Sequence, residues 1–136
     1  MTARELLQAL VKKVKKDCII IRRTKKYGSF DPNTNQIIVC NKNNIDTLST
    51  LSHEYGHYLD YKKNPVTIQE NVENGLLIIG FIGPTKCRIK RERAASINAL
   101  RLLKKMGASK RLLKMVWAIL HESYFGYIKT QKRYLQ

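Results

Sequence analysis

Leu48-Ser-Thr-Leu-Ser-His-Glu-Tyr-Gly-His57 is the stretch that decides how this chain is read. Ile45, Leu48, Leu51 and Leu59 recur at helical spacing, broadly on one side, so a helix is expected from Asn43–Asn44 to about Tyr61. Asn64-Pro65 stops it, because the residue before a proline is pushed out of the helical region. Inside that helix lies His53-Glu-Tyr-Gly-His57, an H-E-x-x-H pattern. Residues four apart share a helix face, so both imidazoles can reach a single ion. Zinc suits them, taking nitrogen ligands at about 2.0–2.1 Å in a tetrahedron. Glu54 is rotated by about 100° from His53 and so misses the ion. It is placed to hold a water there, take its proton during attack on a carbonyl and return it to the leaving amine. Gly56, between the two ligands, costs the helix up to about 1 kcal/mol relative to alanine. Close packing against a sheet is the expected reason for it.

A third ligand must come from elsewhere, and Asp60, Glu70, Glu73, Glu92 and His121 are the candidates. Asp60 is three residues past His57 on the same helix. It would have to bend awkwardly to complete a tetrahedron, so a supporting role is expected, orienting a histidine N–H. Glu92 is the more attractive ligand. It is one of two acids in the last 51 residues, set among Lys90, Arg91 and Arg93. Ala95, Ala99 and Leu102 or Leu103 share its helix face, and small residues there allow close approach to the His53–His57 helix.

The remaining elements follow from caps and periods. Thr2-Ala-Arg-Glu5 is a capping box, and Leu6, Leu7, Leu10, Val11 and Val14 form one stripe, so a helix is expected over 3–16. Cys18–Arg22 and Gln36–Cys40 are short and β-branched, hence strands. The turn cluster Asp31-Pro-Asn-Thr-Asn35 between them suggests a hairpin or small antiparallel sheet. Residues 66–84 are an apolar segment interrupted by Gly75, Gly80 and Gly83, ambiguous in type. A basic helix is expected from Thr85 to Met106 with Gly107 as its left-handed cap, then a last helix from 110 to about 130 capped by Ser109.

The chain has 136 residues, the size of a single domain, and 43% of them are hydrophobic, which excludes intrinsic disorder. Cys18, Cys40 and Cys87 are an odd set without C-x-x-C spacing, which speaks against a disulfide framework or thiolate metal site. The N-terminus lacks a signal-peptide core, and the longest apolar stretch, Gly75–Pro84, is half of the roughly 20 residues a membrane span needs. A soluble, cytoplasmic protein is expected. There are 26 Lys+Arg against 10 Asp+Glu, a net charge of +16, placed unevenly. Residues 1–30 carry +7, residues 31–85 carry −3 and residues 86–136 carry +12. Lys12-Lys13-Val-Lys-Lys16 and Arg22-Arg23-Thr-Lys25-Lys26 are either solvated surface, a nonspecific phosphate-binding face for nucleic acid, or an attractor of acidic protein substrates. No base-reading signature is present. Tyr124, Tyr127 and Tyr134 are either core or rim packing residues or donors to a transition-state oxyanion.

Ile37-Ile-Val39, Leu48–His57 and Glu92-Arg-Ala-Ala-Ser-Ile-Asn-Ala99 together resemble the ImmA/IrrE-type zinc metallopeptidases, over residues 27–105 or so. That gluzincin-like family shows a strand, an H-E-x-G-H helix and a later E-x-x-A-x-x-x-A helix that supplies a glutamate ligand. The resemblance implies His53, His57 and Glu92 as ligands of Zn2+ and Glu54 as general base. It implies an α+β fold: a small antiparallel sheet packed against a zincin-type active-site helix, with further helices C-terminal to it. It also implies an extended protein or peptide substrate paired to a strand edge, with Gln36–Cys40 as the suggested edge. Arg22-Arg-Thr-Lys-Lys-Tyr-Gly28 is similar to a segment of SprT-like DNA-associated proteases, but these use a third histidine shortly after the motif and residues 58–70 hold none. A non-catalytic, basic, nucleic-acid-associated protein on the same fold is the alternative.

Overall fold

A computed structural model describes residues 1–24, 28–40, 42–78 and 85–123. Helix α1 (Ala3–Lys16) opens on the expected capping box: Thr2 Oγ1 accepts from the Glu5 amide at 3.1 Å. Its stripe of Leu6, Leu7, Leu10 and Val14 is buried. Cys18 then adopts φ 60°, a left-handed turn that few non-glycine residues adopt. Strand β1 therefore begins two residues later than its propensity suggests, at Ile20–Thr24.

The sheet corrects the antiparallel expectation. It is mixed, with β1 (Ile20–Thr24) and β2 (Ser29–Asp31) flanking a central β3 (Gln36–Cys40). β1 pairs with β3 in parallel, Ile20 opposite Gln36 and Thr24 opposite Cys40. The hairpin exists, but its partners are β2 and β3, with Ser29 opposite Ile38 and Asp31 opposite Gln36. Asp31 shapes its turn by accepting from the Asn33 amide and the Thr34 hydroxyl, both at 2.9 Å. Asn35 completes it at φ 54°. β2 escapes sequence reading because Ser-Phe-Asp is too short and lacks β-branched residues.

Helix α2 (Asn44–Lys63) is capped by Asn43, whose side chain accepts from the Asp46 amide at 2.8 Å. It packs against α1, β3, α4 and α5, which is why polar Thr47, Ser49, Ser52, His53 and Glu54 are buried along with its leucines. The ambiguous segment contains a helix, α3 (Ile68–Ile78), and its residues 79–84 lie outside the described part. Helix α4 (Lys86–Lys105) is capped by Thr85, and Gly107 at φ +102° ends it as expected. Helix α5 (Lys110–Ser123) buries Leu112, Leu113, Val116 and Leu120, and the expected continuation to 130 lies outside the described residues. One hydrophobic core joins α1, the sheet, α2, α4 and α5. Among the described residues no helix is long and apolar enough to cross a membrane.

Gly56 faces α4, not the sheet as expected. A Cβ there would collide with the Ala95 carbonyl oxygen, and the Asn98 amide donates to the Gly56 carbonyl at 3.1 Å. Backbone cannot swing aside as a flexible side chain can. Gly56→Ala should therefore destabilise the protein by about 1–3 kcal/mol despite alanine's better helix propensity. A urea unfolding midpoint equal to or above that of the wild type would contradict this packing.

Candidate metal centre

Two turns of helix build the centre. His53 and His57 stand one turn apart on α2, and Glu92 reaches them from the first half of α4. His53 Nε2 lies 2.8 Å from Glu92 Oε2, and His57 Nε2 lies 3.2 Å from Glu92 Oε1. The two rings are 4.8 Å apart at 90°. One ligand atom from each residue lies within 4.8 Å of the others, so the group can hold a metal ion. Two imidazole nitrogens and one carboxylate suit a borderline divalent ion. Three donors also leave a tetrahedral ion its fourth position, the arrangement of catalytic rather than structural sites.

The surroundings tune these groups. His53 is wholly buried, and that desolvation lowers its pKa to about 4, so its ring stays neutral as a ligand must. Burial pulls His57 the same way, but the Glu92 hydrogen bond and the charges of Glu92, Glu54 and Asp60 outweigh it and raise its pKa above 6.5. Burial would raise Glu92, yet its bonds to the two histidines hold it well below the usual carboxylate range. Ser96 Oγ meets His53 Nδ1 at 3.0 Å. A hydroxyl can donate to that nitrogen or accept from it, so Ser96 serves either tautomer. His57 Nδ1 is buried with no hydrogen-bond partner among the described residues.

Glu54 is buried on the next helical position. The chain entering β2 passes directly over it: a Cβ on Gly28 would overlap Thr50 Cγ2 and stand 3.6 Å from Glu54 Cγ. The other sequence candidates fall elsewhere. Asp60 was expected to orient a histidine; instead its two oxygens accept from Arg91 Nη1 at 2.9 Å and Asn64 Nδ2 at 3.1 Å. A guanidinium is the stronger partner for a buried carboxylate. Glu70 grips the same Arg91 through two bonds of 2.8 and 2.9 Å. Glu73 accepts from the Cys87 amide at 2.8 Å, at the start of α4. His121 stacks on Trp117 in α5, outside the cluster. Tyr124, Tyr127, Tyr134, Lys25 and Lys26 lie outside the described residues. Lys12, Lys13, Lys15, Lys16, Arg22 and Arg23 are exposed.

Gln36–Cys40 does not offer a pairing edge, because β1 and β2 occupy both its sides. The sheet edge beside Glu54 is β2. Sequence reasoning missed Ser96 and Arg91. Ser96 carried a signal, its position four residues after Glu92 on one helix face. Arg91 carried one only in retrospect: the acids it joins are part of the middle segment's negative excess. Compared with protein-family models, curated proteins and solved structures, the chain matches none.

Metal affinity measured against a chromophoric chelator should reflect this geometry. Glu92→Ala should abolish stoichiometric binding, and Ser96→Ala should weaken it by about 10–100-fold. In the ion-free protein His57 keeps its proton above pH 6.5, so binding must expel it, and wild-type affinity should rise with pH through and beyond 6.5. Unchanged binding by Glu92→Ala, or a pH-independent affinity between 5.5 and 7, would contradict the assigned ligand set.

Proposed function

We propose that the protein is a zinc-dependent metallopeptidase with a zincin-type active-site helix, hydrolysing peptide bonds of a protein partner. The observation that carries the reading is the convergence of His53 Nε2, His57 Nε2 and the Glu92 carboxylate, with Glu54 buried beside them on the same helix. When bound, zinc supplies Lewis acidity, bringing the pKa of a water toward about 7 and polarising a carbonyl. Glu54 is the general base: its carboxylate takes the proton of the attacking water and hands it to the leaving amine nitrogen. Ser96 fixes the His53 ring so that Nε2 faces Glu92. The outer edge of β2, beside Glu54, pairs with an extended substrate segment, since a cleaved chain must lie extended and an edge strand offers unpaired backbone groups.

A second reading, a non-catalytic binder of polyanions such as nucleic acid, is favoured by one observation. Arg4, Lys12, Lys15 and Arg23 line a groove of about 600 Å3 between α1 and β1. Phosphate contacts there would be sequence-independent and steeply salt-dependent.

Glu54→Gln separates the two. The variant should bind one zinc as the wild type does, and its cleavage of a denatured protein mixture, followed by mass spectrometry, should fall by about 10²–10⁴-fold. A zinc-loaded wild type that cuts nothing, with polyanion retention untouched by Glu54→Gln, would establish the second reading instead.

A further inference from the structure

A shallow hollow of about 300 Å3 opens one helical turn beyond His57. Its walls are Phe30 of β2, Tyr58 and Tyr61 of α2, and Pro32, Pro65 and Val66 from the adjoining turns. The aromatic rings brace one another: Phe30 meets Tyr58 edge-on at 6.0 Å and Tyr61 at 6.1 Å. Tyr61 is also held from beneath, with the Arg91 guanidinium 4.4 Å from its ring centre. The hollow is therefore a rigid surface, not a gap that side chains would collapse to fill.

Two features mark it as a place where something apolar binds. First, its Val66 wall begins a run of exposed apolar side chains. Of six large hydrophobics exposed among the described residues, three fall within residues 66–72: Val66 at 43%, Ile68 at 85% and Val72 at 58%. Exposed apolar side chains grouped this way mark interaction sites, whereas scattered ones do not. Second, the hollow lies against the candidate metal centre through one of its walls, Tyr61. The Tyr61 ring lies 6.3 Å from that of His57, because position 61 is one helical turn past position 57.

We propose that this hollow is a specificity subsite that receives an aromatic or branched aliphatic side chain of the substrate, next to the bond held at the metal. The inference rests on the metallopeptidase reading and names its substrate class. A strand laid along the outer edge of β2 turns alternate side chains toward α2, the side on which Phe30 meets Tyr58 and Tyr61. An extended chain advances about 3.3 Å per residue. The 6.3 Å from His57 to Tyr61 thus places the hollow one or two residues from the peptide bond at the ion. Lys62, whose ammonium lies 5.6 Å over the Tyr58 ring, borders the hollow and disfavours a basic side chain there.

The test uses the zinc-loaded protein and short peptide hydroxamates, which anchor on the metal without being cleaved. They carry phenylalanine, leucine, glycine, aspartate or lysine at the position next to the hydroxamate. Acetohydroxamate, which has no side chain to place, is the control. Phenylalanine and leucine should bind at least about tenfold tighter than glycine, aspartate or lysine. Tyr61→Ala and Phe30→Ala should reduce that preference to below about threefold while leaving zinc content and acetohydroxamate affinity unchanged, and Tyr61→Phe should retain it. Affinities that ignore the side chain, or a preference that survives both alanine variants, would overturn the subsite and leave the metallopeptidase reading standing. Failure of every hydroxamate, acetohydroxamate included, would overturn both.

Discussion

The contact between Gly56 and Ala95 sets how close α2 and α4 can come, and the site depends on that distance. A glutamate side chain is short. For Glu92 to touch His53 and His57 together, the two helix backbones must nearly meet, which is possible where one presents only a hydrogen and the other a small side chain. Ala95, Ala99 and Ser96 continue the close packing along α4, all fully buried. The glycine weakens its helix locally, and packing on α4 offsets that loss.

A second constraint is electrostatic. Arg91 sits one residue before Glu92 and ties Asp60 of α2 and Glu70 of α3 to α4, with a further bond to the Pro65 carbonyl at 3.1 Å. Its pKa is raised, chiefly by the hydrogen bonds it donates to Glu70, with the one it donates to Asp60 adding to it, so it stays a cation. Removing it would leave two buried carboxylates without their counter-charge, the costly way to break a buried ion pair. The negative middle of the chain and its basic C-terminal part thus meet inside the protein, one residue from Glu92.

Much of this was legible in the sequence. Caps at Thr2 and Ser109 and a stop at Gly107 marked the start of α1, the start of α5 and the end of α4, because capping is local chemistry between residues two or three apart. The histidine pair was legible for the same reason, as a spacing within one helix. Sheet order was not. Whether β1 joins β3 in parallel depends on tertiary packing, and β2 carries no pattern of its own. Nor could the sequence decide what Asp60 bonds to, since that depends on where Arg91 lands in space, 31 residues away.

These constraints together give the described residues one group, His53, His57 and Glu92, that can hold a divalent ion. The measurement that bears on this most directly is anomalous diffraction from zinc-loaded crystals, recorded above and below the zinc edge. A single strong peak is expected within about 2.0–2.2 Å of His53 Nε2, His57 Nε2 and a Glu92 oxygen. A peak at any other group of residues, or none in crystals grown with zinc in excess, would contradict it.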